Sequence, residues 1–144
     1  MSAPDFLDTN VLVYAYDAGE PRKQRIAREL VRQALLGEIS ISAQVLAEFA
    51  ATLLHKISPA VSPSDVAKIL DAFSPIAAIP TDDEMVRRAV EVKGAYGIHF
   101  YDGMIVAAAE RCGSTRIWSE DLNPGQKYFG IVVENPFGIP KATS

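Results

Sequence analysis

Asp5-Phe6-Leu7-Asp8-Thr9-Asn10-Val11-Leu12-Val13-Tyr14-Ala15-Tyr16 is the stretch whose reading decides the fold of this 144-residue chain. Residues 5–8 form a short strand pattern. The apolar run 11–16 is ambiguous between strand and helix by composition alone, so the punctuation around it has to decide. Thr9 can serve as an N-cap, and Asp17-Ala18-Gly19 supplies a stop. A strand ending near Asp8 and a helix starting near Asn10 follow, with an acidic side chain at the junction.

Working outward, the same alternation of short strands and helices repeats. Pro21 suits a first helical turn, Ile26, Leu30 and Ala34 recur every fourth residue, and Gly37 closes a helix over 21–36. Ile39 and Ile41 alternate with Ser40 and Ser42 in a strand. Residues 44–57 carry Val45, Phe49 and Leu53 in one helical row, ended by Ser58-Pro59. Ser62-Pro63-Ser64-Asp65 opens another helix. Thr81-Asp82-Asp83-Glu84 is a capping-box pattern with Thr81 as the cap, and the segment 76–79 between these helices is a strand. A further helix covers about 103–111, followed by strands at 116–118 and 130–133. Strands separated by helices predict an α/β fold, a mostly parallel sheet with helices on both faces.

The length is that of one domain, taken as residues 1–144, and two independent enzymatic domains are excluded. Hydrophobic residues at 49% provide a core, while the apolar stretch 104–109 falls far below the ~18 residues of a membrane span. Met-Ser-Ala-Pro-Asp has no export-signal pattern, so a cytoplasmic protein without a membrane partner is expected. Cys112 is the only cysteine and His55 and His99 the only histidines, which excludes an intrachain disulfide and most soft-ligand metal chemistry. The formal net charge of −4 argues against a broad electrostatic grip on nucleic acid, although acids gathered around cations with a local basic rim would still admit a nuclease. Neither a GxGxxG turn nor a GxxxxGK[ST] loop is present, against a nucleotide-dependent hydrolase or dehydrogenase.

Four acids stand out. Asp8 lies where a strand gives way to a helix, the edge at which ligand sites of open α/β sheets gather, although a capping aspartate would look the same. Asp5, three residues earlier, points to the opposite side of the strand. Glu48 falls about 60° from Val45, at the edge of an apolar helical stripe. Asp102 shares a helical face with Ile105, Val106 and Ala109, and capping of a helix starting at Gly103 is its ordinary alternative. Asp121, in Ser119-Glu120-Asp121-Leu122, follows a strand and is the better inward candidate than Glu120. His55, Lys56 and His99 read as helix-end or loop residues. Carboxylates brought into one cleft repel unless a cation holds them, and an all-oxygen donor set suits Mg²⁺ or Mn²⁺.

Phe6-Leu7-Asp8-Thr9-Asn10-Val11-Leu12 resembles the opening motif of the PIN domain family. Glu48 matches that family's helical glutamate, Tyr101-Asp102-Gly103-Met104-Ile105-Val106-Ala107-Ala108-Ala109 its central aspartate and small-residue helix, and Ser119-Glu120-Asp121-Leu122 its fourth acidic site. Asn135-Pro136-Phe137 resembles the close of many single-domain members, particularly VapC-type toxins. The resemblance covers nearly the whole chain and implies a three-layer α/β/α sandwich with a five-stranded, mostly parallel sheet. It further implies Mg²⁺- or Mn²⁺-dependent cleavage of RNA, a small antitoxin partner and a homodimer. In that light Asp8, Glu48, Asp102 and Asp121 are metal-binding and catalytic, and Thr9, Asn10 and Ser119 orient water or neighbouring acids. Gly103 departs from the alanine frequent in the family and should tighten a helix approach. Arg87, Arg88, Lys93 and Lys127 are candidate phosphate contacts. A non-toxin RNA-processing nuclease and a catalytically inactive scaffold share the same motifs, and DNA is not excluded as substrate.

Overall fold

The computed structural model describes residues 3–138, so both ends of the expected 1–144 domain lie outside the described residues. The elements in chain order are β1 (Asp5–Leu7), α1 (Thr9–Tyr14), α2 (Pro21–Leu35), β2 (Ile39–Ser42), α3 (Ala43–His55) and α4 (Pro63–Ala72), then β3 (Ala78–Ile79), α5 (Asp83–Tyr96), α6 (Phe100–Arg111), β4 (Arg116–Trp118), β5 (Lys127–Tyr128) and β6 (Ile131–Glu134). They build the expected α/β fold around a mostly parallel sheet of order β3-β2-β1-β4-β6-β5. Its sixth strand, the two-residue β5, runs antiparallel to β6 through Lys127↔Val132 and Tyr128↔Ile131 and extends the sheet beyond the five strands anticipated.

β1 lies inside the sheet, paired in parallel with β2 (Phe6↔Ser40) and with β4 (Phe6↔Ile117, Leu7↔Trp118). All four residues of Ile39-Ser40-Ile41-Ser42 are buried. Since successive strand side chains face opposite ways, burial of both pairs means that both sheet faces are covered, as a parallel sheet requires. Phe6, Leu7, Val11, Leu12, Ile41, Val45, Phe49 and Ile117 form the core. From β1 the chain moves outward one way to β2 and β3, and the later strands build out the other way from β4. A crevice therefore opens at the carboxyl ends of β1 and β4, the place where open α/β sheets hold ligands.

Local chemistry shifts several boundaries. Asp8, not Thr9, caps α1, accepting the Thr9 N–H, so that helix begins at Thr9. Asp82 rather than Thr81 caps α5, its Oδ1 accepting from Met85 N. The helix expected from residue 103 starts at Phe100 with His99 as its cap, which places Asp102 inside the first turn and not at the cap. Ser42 caps α3, which ends at His55 instead of continuing to residue 57. The strand anticipated at 76–79 contracts to Ala78–Ile79.

α6 is buried continuously from Gly103 to Ala109, because it packs against both the sheet and α5. The small-residue run makes this approach possible. A Cβ on Gly103 would lie 2.7 Å from the carbonyl oxygen of Ala89, inside any real contact distance. The glycine is the packing surface at the α5–α6 crossing, in keeping with the tight approach anticipated at that position.

Candidate active site

A cavity of about 450 Å³ opens at the carboxyl ends of β1 and β4. Asp8, Glu48, Asp102 and Asp121 all line it. Asp8 follows β1; Glu48 comes from the second turn of α3, which begins at the end of β2; Asp102 comes from the first turn of α6; Asp121 comes from the loop after β4. Four segments distant in sequence thus meet because parallel strands end at one edge of the sheet.

Asp8 is the anchor, with only 7% of its surface exposed. Its Oδ1 accepts from Thr9 N at 2.7 Å, and its Oδ2 accepts from Ser119 Oγ at 2.8 Å and Asn10 Nδ2 at 3.3 Å. Ser119, fully buried, also accepts from Asn10 Nδ2 and from the backbone N–H groups of Asp121 and Leu122, while Asn10 Oδ1 accepts from Glu120 N. One hydrogen-bonded web therefore fixes Asp8 relative to the Asp121 loop. Burial pushes the Asp8 carboxyl up to about 6, against the lowering effect of the Ser119 and Thr9 bonds, and the neighbouring Asp102 and Glu48 push the same way. Asp102 is likewise raised, first by burial, and Asp121 adds to this while His99 opposes it.

Glu120 and Asp121 are separated by their partners. Tyr14 Oη donates to Glu120 Oε1 at 2.6 Å, and Lys23 Nζ forms an ion pair with Glu120 Oε2. Although burial raises Glu120, these bonds prevail and hold its carboxyl below the ordinary glutamate range. Glu120 lines the cavity as an already neutralised group. Asp5, as expected, faces elsewhere: it receives Arg116 at 2.7 Å and Trp118 Nε1 at 3.1 Å.

Sequence reasoning missed Tyr14, Asp17, Thr52 and Lys23. Asn10, Val13, Tyr14 and Asp17 all line the cavity, and their spacing of three, four and seven residues is the signal for one helical face. Lys23 had no such signal, since its partner is 97 residues away. Conversely, the four candidate phosphate contacts do not line the cavity. Arg87 pairs with Asp83, Arg88 with Glu91 and Glu110, and Lys93 donates to the carbonyl of Ile98.

The donor set is all oxygen. Thr9 Oγ1 is buried in the cavity wall without a hydrogen-bond partner, beside a carboxylate whose ionised form is disfavoured by burial. Both features fit a hard divalent cation. Among the described residues no three His, Cys, Asp or Glu side chains already form a chelating group. An ion would therefore be held by two or so carboxylates together with its own water, the mode in which Mg²⁺ is commonly bound.

A family model described as PIN domain matches residues 6–129. No curated protein matches the chain. Among solved structures, a toxin–antitoxin complex from Klebsiella pneumoniae is similar at 21% identity, covering 96% of this chain and all of that one, with a TM-score of 0.65. DNA-bound VapBC from Salmonella typhimurium is similar at 17% identity, covering 94% and 99%, with a TM-score of 0.66. VapC20 from Mycobacterium tuberculosis, a toxin that cleaves the sarcin-ricin loop, is similar at 17% identity, covering 83% and 91%, with a TM-score of 0.63. At these identities the likeness is one of fold.

Proposed function

The chain belongs to the PIN domain family, and from that premise we propose that it is a Mg²⁺- or Mn²⁺-dependent endoribonuclease, the toxin component of a toxin–antitoxin pair acting in the cytoplasm. The observation that carries the reading is the convergence of Asp8, Glu48, Asp102 and Asp121 on one cavity at the sheet edge, with Asp8 buried. Among the described residues no helix is long and apolar enough to cross a membrane.

In this reading Asp8 together with Asp102 or Asp121 would hold the cation directly, the remaining acid would reach it through its bound water, and Glu48 would either do the same or receive the proton of the attacking water. When bound, a divalent ion lowers the pKa of water and offsets charge building on the phosphate oxygens. The chain's own contribution is placement. Asn10 and Ser119 hold Asp8 Oδ2, and Ser119 also holds the backbone of Asp121, so the two carboxylates keep a fixed relation. Lys23 neutralises Glu120 and limits the negative charge a phosphate would meet. No side chain serves as the nucleophile.

Purified protein is expected to cut members of a mixed RNA panel with Mg²⁺ or Mn²⁺ and to stop in EDTA. Absence of cleavage across the panel, together with no metal binding by calorimetry, would leave a PIN-fold scaffold. The toxin role rests on family membership and on the fold shared with toxin–antitoxin complexes. It predicts growth arrest on overproduction and relief by a small protein encoded beside it. Cleavage without growth arrest would instead assign an RNA-processing nuclease. A second copy would cover the exposed Val86 and Val90, one turn apart on α5, and light scattering of the purified chain tests that dimer.

A further inference from the structure

A second groove, of about 600 Å³, adjoins the acidic cavity and shares Glu48 and Asp102 with it; the rest of its wall is Gln44, Ala47, His99 and Tyr101. Tyr101 is a large ring left 57% exposed, yet it is fixed in place. The imidazole of His99 lies against it with centroids 5.8 Å apart and planes 23° from parallel, and Phe100 meets it edge-on at 5.2 Å. The backbone is pinned as well: Tyr101 N donates to His99 Nδ1 at 3.2 Å, and Tyr101 O accepts from Gln44 Nε2 at 3.1 Å. The same Gln44 amide donates to Glu48 at 2.6 Å, tying the aromatic wall to an acidic side chain of the cavity.

The chemistry of this wall selects its occupant. No lysine or arginine lines the groove, and two carboxylates do. A phosphate would be repelled there, whereas a flat, neutral group can lie on an aromatic face. Unpaired bases stack on such faces in proteins that bind single strands, whatever the base, because every base presents a π-surface.

We propose that Tyr101, backed by His99, is a stacking platform that holds one unpaired nucleobase of the RNA beside the acidic cavity, thereby selecting single-stranded substrate. The proposal rests on the reading of that cavity as an RNA-cleaving site, and it makes Tyr101 a positioning residue rather than a catalytic one. A base seated on the ring would put the neighbouring phosphodiester toward Asp102, which lines the same groove and the acidic cavity.

The test is a fluorescence titration of a short single-stranded RNA carrying 2-aminopurine, using the full chain with Asp8→Asn to prevent turnover and comparing Tyr101, Tyr101→Phe and Tyr101→Ala. Stacking predicts quenching with Tyr and Phe, loss of quenching with Ala, and a Kd raised about tenfold by Tyr101→Ala. In chains that retain Asp8, steady-state cleavage should show the same rise in KM with kcat little changed. A Tyr101→Ala chain with unchanged Kd and quenching overturns the platform. So does a Tyr101→Phe chain as weak as Tyr101→Ala, or an equal loss of affinity for a fully paired duplex. If Tyr101→Ala leaves RNA binding intact but releases a bound partner protein, the groove is a protein contact and the proposal also fails. The two readings fail separately: quenching without cleavage by the parent chain with any divalent ion sinks the nuclease, and cleavage without quenching sinks the platform.

Discussion

Replacing Asp8 by Asn sets two effects of known sign against each other. Burial raises the Asp8 carboxyl from 3.8 to about 6, so its ionised form destabilises the metal-free folded state by about 3 kcal/mol at neutral pH. The folded state binds the proton more tightly than the unfolded one, so this penalty is absent below pH 3.8, grows as pH rises, and is complete above about 6. Asn never carries it. Against this, the amide has one acceptor oxygen where the carboxylate has two. Keeping the Thr9 bond leaves the amide NH₂ facing Asn10 Nδ2, itself a donor, and Ser119 Oγ, which already accepts three N–H groups. That mismatch costs roughly 1–3 kcal/mol, independent of pH.

The net stability change at one pH is thus small, but its pH dependence is diagnostic. Linkage puts about half of the wild-type penalty in place by pH 5, so between pH 5 and 7.5 in EDTA the variant should gain on the order of 1 kcal/mol relative to wild type. Urea melts of both proteins at the two pH values measure this. In Mg²⁺ the order narrows or reverses, because wild type gains about 2.7 kcal/mol at a hundredfold excess over Kd and the variant binds poorly. A stability difference that does not move with pH in EDTA would refute the claim that Asp8 is held as a disfavoured buried charge. Full cleavage activity in Asp8→Asn would remove it from the active site altogether.

Three further outcomes are expected. Gly103→Ala drives a Cβ to 2.7 Å from the Ala89 carbonyl oxygen, a backbone atom that cannot swing aside, and should lower stability by about 1–3 kcal/mol; a wild-type urea midpoint would contradict the packing described. Asp121→Asn should reduce cleavage by on the order of 10²-fold or more with little change in melting, whereas Glu120→Gln, which loses only the Lys23 ion pair, should cut RNA within a few-fold of wild type; the reverse ranking would assign the metal to Glu120. Asp5→Ala removes the partner of Arg116 and Trp118 Nε1 and should cost about 1–3 kcal/mol in a denaturation melt while activity per folded molecule is retained; lost activity in stably folded protein would put Asp5 in the site.

Much of the site could be read from local pattern. A strand-to-helix junction at Asp8, the helical row beside Glu48, the apolar face of Asp102 and a post-strand loop at Asp121 each follow from periodicity and punctuation, and their order along the chain carried the family resemblance. Sheet order was not legible, because parallel connections admit several orders, and the structure supplies both the order and the edge at which these residues meet. Cap identity was less legible. Asp82 and Thr81 are both good caps, as are Asp8 and Thr9, and the choice depends on which side chain the incoming strand or loop aims at the first N–H groups.

The sequence by itself determined the α/β class, which is encoded in residue spacing within single elements, and it offered the four acids as candidates that the family resemblance, rather than spacing, grouped together. Only the tertiary structure distinguishes the surroundings of Glu120 and Asp121, since adjacent loop residues differ in what they meet, and Lys23 and Tyr14 arrive from other elements to occupy Glu120. It alone shows Arg87 and Arg88 paired with acids on α5 and α6 and absent from the cavity lining. It alone exposed Tyr101, because moving the helix start from 103 back to Phe100 turns a loop residue into a fixed ring beside the acids. Spacing along a chain specifies neighbours within a turn or a strand. Charge neutralisation and exposure depend on groups tens of residues away, which meet only when the chain has packed.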